Sequence, residues 1–488
     1  MRPILTFLTE ELIQQILSEA RDILCKLGTK VYDKELLSLL SHHGAHVDSK
    51  NRNVRFTNDI IDKALKTVPS SFKLYDVLGN ETHDFSGTNV YFTPASSALN
   101  ILDHGKREMR HPETNDYVKY VKIVSQLEHI ASQSTAFIPA DVSEKISDSY
   151  RLYLSLLYGE KPVVTGTFNN DAFSIMKNLQ VAVRGSEKAL KEKPLTIFSC
   201  CPITPLKWGE RSCRDIVNCG RCDIPVELIS MPLTGFTGPV TLVGSLVGHT
   251  VENLSGIVIS QLSNPGAPLL YGGAPAAFDM RWGTTPLGAV ETQMMDCAYN
   301  EIGKYLGIPT QAYIALSDAK ALDAQAGLET SMGAALAVLS GINSISGPGM
   351  LDFVNCFSLE KLIVDNEICG MTYRLGKGIE PKEDFPTLPR YQELLKEQHL
   401  LTSLHTRRYF KEEHYFPSSV IDRTTCARWR EQGSQTLGER AHAEVKRLMD
   451  SYQASRLHQD IKKQLTQIME SEAHRIGMEK LPEVKENQ

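Results

Sequence analysis

A chain of 488 residues that is 42% hydrophobic and 23% charged can bury a large core, as two to four domains or as one barrel filling most of its length. Its 52 basic and 58 acidic residues give a net charge of −6, with no basic cluster denser than Lys-Arg pairs, which argues against a polyanion surface and a nucleic acid partner. The N-terminus turns acidic at Glu10 and Glu11 before a signal-peptide core forms, and no apolar run reads as a membrane span, so a cytoplasmic protein is expected.

Residues 1–88 open with apolar residues three and four apart (Leu12, Ile13, Ile16, Leu17, Ala20, Ile23, Leu24) and a stop at Leu27-Gly28, which predicts a helical cap. His42, His43 and His46 cluster around a glycine turn, a setting that more often faces solvent than holds metal. From residue 89 short β-branched or aromatic runs alternate with helical stretches. They are 90–94, 131–139, 162–168, 195–202, 225–232, 268–273, 311–317 and 344–347. Eight such strands, each followed by a helix, predict a closed (β/α)₈ barrel over 89–380. A doubly wound sheet would need a glycine-rich phosphate turn after its first strand, and Tyr91-Phe-Thr-Pro-Ala-Ser-Ser has none. Residues 381–488 predict a helical extension that reads first as a solvated tail, with packing in a homo-oligomer as the alternative suggested by Tyr409, Phe410, Tyr415, Phe416 and Trp429.

Ten cysteines in a long chain read as free thiols. Cys219-Gly-Arg-Cys222, with Cys213 upstream, admits a redox pair or part of a zinc site, but no second pair lies at ligand spacing, so no tightly bound metal is expected.

Catalytic groups of a parallel barrel lie at the C-terminal ends of its strands, and the ends of the eight runs are rich in aromatic and small residues and poor in acids and bases. Asp141 with Asp318 is the one carboxylate pair on offer for glycoside hydrolysis, and no strand run holds an interior lysine for a Schiff base. Such a mouth suits a methylated ammonium ion bound on ring faces, although aromatics at strand ends are also ordinary core.

Several stretches together resemble one family: Tyr91-Phe with Leu102-Asp103, Tyr271-Gly-Gly-Ala-Pro, Ser317-Asp-Ala-Lys-Ala-Leu-Asp-Ala-Gln-Ala-Gly327, Gly347-Pro-Gly-Met-Leu, Val364-Asp-Asn-Glu367 and His405-Thr-Arg-Arg. The chain is similar to the trimethylamine methyltransferases, corrinoid-dependent enzymes. The resemblance implies a barrel that moves a methyl group from an amine to the cobalt of a separate small corrinoid protein. The founding members carry pyrrolysine, and this chain has only standard residues. A quaternary amine, which leaves as a neutral tertiary amine without a proton, is therefore the expected substrate. On this reading Tyr91, Phe236, Phe353 and Phe357, with Tyr271 and Trp282 in support, form the cage, and Arg281 pairs with a betaine carboxylate. Asp318 and Gln325 orient substrate or a cobalt-bound water, unless Asp318 caps the following helix. Gly272, Gly273, Gly347 and Gly349 leave room for the corrinoid or simply close tight turns, and Asp352 and Glu367 are structural. The rival functions are a non-catalytic barrel that binds such amines, a trimethylamine-specific enzyme, and a zinc methyltransferase using Cys219 and Cys222.

Overall fold

The computed structural model describes residues 2–485. Eight parallel strands form the centre: β1 (Tyr91–Thr93), β2 (Gln133–Ser134), β3 (Val163–Thr165), β4 (Thr196–Cys200), β5 (Val226–Ser230), β6 (Leu269–Gly273), β7 (Gln311–Ala312) and β8 (Ser344–Ser346). Each of the eight sequence runs supplies one. Two arcs, β2 to β6 and β7-β8-β1, carry regular parallel pairing. Tyr271 N donates to Pro309 O at 2.9 Å and Tyr313 N to Gly273 O at 3.3 Å, joining β6 to β7. Ala131 N donates to Phe92 O at 2.8 Å, joining β1 to β2, so the barrel is closed.

A helix follows every strand: α1 (Thr114–Val124), α2 (Ser147–Tyr158), α3 (Ala172–Arg184), α4 (Glu210–Arg221), α5 (Leu242–Ser263), α6 (Val290–Tyr305), α7 (Ala324–Ser340) and α8 (Leu359–Gly376). Local chemistry sets their ends. Asp323 accepts from the backbone of Gln325 and Ala326 to start α7, and Gly341 ends it at φ 71°, a left-handed turn that a side chain disfavours. Helix α5 is long and apolar enough to cross a membrane by length and composition, a run that the sequence reading did not single out. In the fold 72% of its most apolar window is buried, and the N-terminal helices pack against it.

The N-terminal layer holds the expected helices (Glu10–Lys26, Lys34–His42, Asn58–Thr67) together with a small sheet that the sequence reading missed. Its strands Thr29–Val31, His46–Asp48 and Asn53–Arg55 pair with one another, and Lys207–Trp208 from the loop after β4 joins the edge. Three-residue strands are too short for a clear alternation, which hides them in the sequence. His42 and His43 are exposed and meet edge to face. The hairpin Lys73–Tyr75/Glu81–Asp84 then fills the N-terminal end of the barrel. Leu74 and Phe85 pack there on Val164, Ile197 and Leu270, with Phe72 and Tyr91 beside them.

In the C-terminal extension the helices Leu437–Ser451 and Gln459–Arg475 bury Ala441, Val445, Leu448, Leu465, Met469 and Ala473. The arm before them is anchored through Glu367, which accepts from the Tyr415 hydroxyl and Ser418 N, both at 3.2 Å.

Candidate active site

A cavity of about 350 Å³ opens at the C-terminal ends of the strands. That size is at the low end for small-molecule sites. Ser96 and Ser97 follow β1, Thr135 follows β2, Thr167 and Phe168 follow β3, Ser199 and Cys201 come from β4, Ile229 and Met231 from β5, and Tyr313 from the end of β7. Phe353 and Val354 close it from the hairpin Met350–Leu351/Cys356–Phe357. At the tip of that hairpin Asp352, Phe353 and Val354 have φ values of 49°, 57° and 66°. Three successive non-glycine residues in the left-handed region cost of order 1–3 kcal/mol each, a strain typical of side chains held for a purpose.

Behind the lining residues Ser199 and Tyr313 the barrel interior is polar. Glu227 sits in β5 two residues before Ile229, on the same strand face, and is fully buried. Ser199 Oγ donates to its Oε1 at 2.6 Å, while Oε2 has no partner. Burial pushes this carboxyl up to about 7. The Tyr313 hydroxyl bonds with Ser96 and Ser199, and burial beside Glu227 lifts its phenol well above the ordinary range. Gln311 lies two residues earlier in β7. Its Oε1 accepts from Gly273 N at 3.2 Å, and its buried Nε2 has no partner.

Arg211 and Asp215, both on α4, are the charged residues on the wall. Arg211 donates to Phe168 O at 2.9 Å, and Thr167 donates to Asp215. Burial pushes the Asp215 carboxyl up to about 6, with Arg211 acting in the opposite direction. Behind the wall Arg151 pairs with Asp148 at 3.0 Å, both buried, and donates to Ser97 Oγ at 3.0 Å. Asp148 in turn accepts from Phe168 N and Asn169 N, fixing the loop after β3.

Of the residues expected at the site, Phe353 lines the cavity, with one ring face already covered by Lys320 Nζ at 3.8 Å from the centroid. Tyr91 is at the opposite end of the barrel, because it is the first residue of β1. Its hydroxyl accepts from Asp84 N at 3.0 Å. Tyr271 points outward, its hydroxyl donating to Thr250 of α5 at 3.0 Å. Phe357 is buried among Tyr120 and Phe137. Phe236 stacks on Phe278 at 5.0 Å on the exposed rim, and Trp282 is 78% exposed. Arg281 is held by Asp279 at 2.6 Å on the surface, so the expected role in binding a carboxylate is corrected for it.

Asp318 and Gln325 do not reach the cavity. Asp318 accepts from Leu287 N at 3.1 Å and Gly288 N at 2.7 Å, and burial pushes it up to about 6. Glu329 gathers the rest of the stretch, accepting from Ser317 Oγ at 2.6 Å, Asp318 N at 2.8 Å and Gln325 Nε2 at 2.8 Å. This clamp ties the loop after β7 to Leu287, which does line the cavity. Asp141 accepts from Thr114 N at the start of α1, so it and Asp318 serve as separate anchors.

The four glycines are packing positions. A Cβ on Gly272 would lie 2.5 Å from Gln311 Oε1, on Gly273 2.4 Å from His249 Nε2, on Gly347 2.0 Å from Ile314 O, and on Gly349 2.4 Å from the Phe357 ring. The expectation of a glycine-lined corrinoid surface is thus corrected, because neighbouring groups already fill the space.

Cys219 is buried in α4 and Cys222 is its half-buried cap. Among the described residues, three ligating side chains come together instead at His104, Glu360 and His442, with ligand atoms within 4.8 Å. His442 Nδ1 lies 2.8 Å from Glu360 Oε1. The two imidazoles are stacked at 4.1 Å and 12°, so their in-plane nitrogen lone pairs run side by side and do not converge on one point.

A closed parallel barrel with a small cavity at its strand C-termini defines an enzyme of the (β/α)₈ class. The family model for trimethylamine methyltransferase matches residues 1–477, and the chain belongs to that family and is a methyltransferase. It is 29% identical over 474 residues to the trimethylamine methyltransferase of Methanosarcina thermophila, covering 94% of this chain and 96% of that one. It is 28% identical over 480 residues to the glycine betaine methyltransferase of Desulfitobacterium hafniense, covering 98% and 99%. The crystal structure of the monomethylamine methyltransferase of Methanosarcina barkeri superposes with a TM-score of 0.50 at 12% identity, covering 92% of this chain and 89% of that one, a likeness of fold.

The cavity residues that sequence reasoning passed over are Tyr313, Phe168 and Arg211, with Glu227 and Gln311 behind the lining. Glu227 had a visible signal: one acid inside the otherwise apolar run Pro225-Val-Glu-Leu-Ile-Ser.

Proposed function

We propose that the chain moves a methyl group from a quaternary amine with an anionic tail, a betaine, to a corrinoid carried by a separate small protein. The observation that carries this reading is the charge pattern at the cavity: Arg211 and Asp215 on the wall, with the buried carboxyl of Glu227 behind the lining residue Ser199. That pattern is complementary to a zwitterion. The ammonium head is placed over Glu227, Tyr313 and Phe353, and the carboxylate tail toward Arg211. The similarity to a glycine betaine methyltransferase supports the choice.

The corrinoid, bound at the mouth, supplies a cobalt nucleophile for the methyl carbon. The chain's own residues have the lighter task of orientation. The departing amine is neutral and needs no proton, which fits a wall whose charged groups are Arg211 and Asp215. Positive charge disperses as the methyl leaves, so tight attraction of the ground state would raise the barrier. The rings are accordingly not a free cage: Lys320 covers Phe353, and the guanidinium carbons of Arg151 and Arg211 lie 5.5 and 5.8 Å from the centre of Phe168. The rim around the mouth exposes Phe236, Met280 and Trp282, apolar surface suited to a docked carrier.

The test mixes the purified protein with a reduced corrinoid carrier and a panel of betaines, choline and trimethylamine, following methylation of the corrinoid by its absorbance. Turnover of a betaine, with none for choline, is the expected result. Turnover of trimethylamine alone defeats the substrate assignment, and calorimetric binding without turnover of any amine points to a non-catalytic barrel. Arg211→Ala is expected to raise KM for the betaine about tenfold or more, the worth of one charge-assisted contact. Arg281→Ala is expected to leave KM unchanged, and steady-state kinetics on both variants separates the two arginines.

A further inference from the structure

We infer that Lys320 is a positioning residue that acts through the Phe353 ring: its ammonium occupies a face of that ring, weakens the ring's hold on a bound cation and so sets how tightly a methylated amine is held. The inference rests on the reading that the cavity takes a methylated ammonium ion.

Lys320 Nζ lies 3.8 Å from the Phe353 centroid, donates to Asp318 O at 2.6 Å and pairs with Asp352 Oδ1 at 3.5 Å. Its side chain is 56% exposed, so a flexible, strongly hydrated ammonium has water within reach and is nevertheless held on the ring. The backbone fixes the partners. Asp318 N donates to Glu329 Oε2 at 2.8 Å, and Asp352 N donates to Ala319 O at 3.0 Å. Residues 318–320 thus run beside the hairpin tip that carries Phe353 in the left-handed region at φ 57°.

Phe353 lines the cavity and Lys320 does not, so an amine bound against this ring shares it with a cation already in place. A ring face attracts a cation through its quadrupole, and a second cation on the same ring meets the charge of the first. Asp352 offsets part of that charge, which limits the effect to several-fold. The arrangement recurs at Phe168, the other phenylalanine of the lining, where Arg151 and Arg211 stand 5.5 and 5.8 Å from the ring centre. Weakened rings favour turnover, because positive charge disperses as the methyl group leaves and a tight ground state would add to the barrier.

The test measures tetramethylammonium binding by calorimetry and glycine betaine turnover with a reduced corrinoid carrier. Lys320→Met keeps the length of the side chain and drops its charge, and Lys320→Gln is a second neutral variant whose fold is checked by circular dichroism. Both are expected to bind tetramethylammonium about fivefold tighter than the wild type and to lower KM and kcat for glycine betaine together. Lys320→Arg is expected to stay within about twofold of the wild type, since a guanidinium also covers a ring. In a Phe353→Leu background the Lys320→Met gain is expected to shrink below about twofold, because the shared ring is gone.

Unchanged or weaker tetramethylammonium binding by the neutral variants overturns the inference, and weaker binding is what a mere strut for the hairpin tip predicts. An equal gain with and without Phe353 overturns it as well, as does a protein that binds no tetramethylammonium in any form. The two readings fail separately. Tighter binding in the variants of a protein that demethylates no betaine keeps the role of Lys320 and defeats the substrate assignment, and betaine turnover with no shift at Lys320→Met does the reverse.

Discussion

Glu227→Gln is expected to cut methyl transfer from a betaine about 100-fold while making the protein more resistant to denaturant at alkaline pH. The loss follows from replacing the buried carboxyl behind Ser199 and Tyr313 by a neutral amide, at a depth where fixed charge counts heavily. The gain has the opposite origin. The carboxyl stands at about 7 in the fold against an ordinary value of 4.5. Between those two values the folded protein keeps a proton that the unfolded chain has released. Stability therefore falls as pH rises through this window, and the full deficit, of order 3 kcal/mol, is present above pH 7. Glutamine removes it. Its amide adds an unmet donor at every pH, so the quantity to compare is the change in urea midpoint between pH 5 and pH 8. The wild type should lose stability over that interval by more than the variant. Equal changes, or undiminished transfer, would sink the role given to Glu227.

Gly347→Ala should damage the fold and not merely the catalytic rate. The new Cβ would lie 2.0 Å from Ile314 O and 2.7 Å from Ala315 O, backbone atoms in the segment after β7 that cannot swing aside. A loss of roughly 3 kcal/mol or more, seen as a lowered urea midpoint or as failure to fold, is the expected outcome. Had the glycine served as an open surface for the corrinoid, alanine would leave stability intact and weaken only the transfer step. Equilibrium unfolding beside the transfer assay distinguishes the two.

The barrel was legible because its strands are buried on both faces, so each appears as a short apolar run that survives without context. The site was less so, and the strand ends explain why. Taking the last residue of each run as the catalytic end nominated Ser317, whereas regular pairing in β7 stops at Ala312 and the cavity takes Tyr313. The apolar run simply continues into a buried loop. Tyr271 and Phe357 show the converse difficulty, since an aromatic at the right depth faces the cavity or the surrounding helices according to a one-residue alternation. The family-like Ser317–Gly327 stretch pointed to the right region of the chain, but as a clamp beneath Leu287 and not as a lining.

The hairpin at residues 73–84 gives the reaction a direction. With Leu74, Phe85 and Tyr91 filling the far end of the barrel, the cavity opens at the strand C-termini. In the proposed reaction a carrier seated over that mouth would also be a lid. In the proposed reaction amine would then enter before the carrier and the demethylated product would leave after it, an order set by the plug at the opposite end.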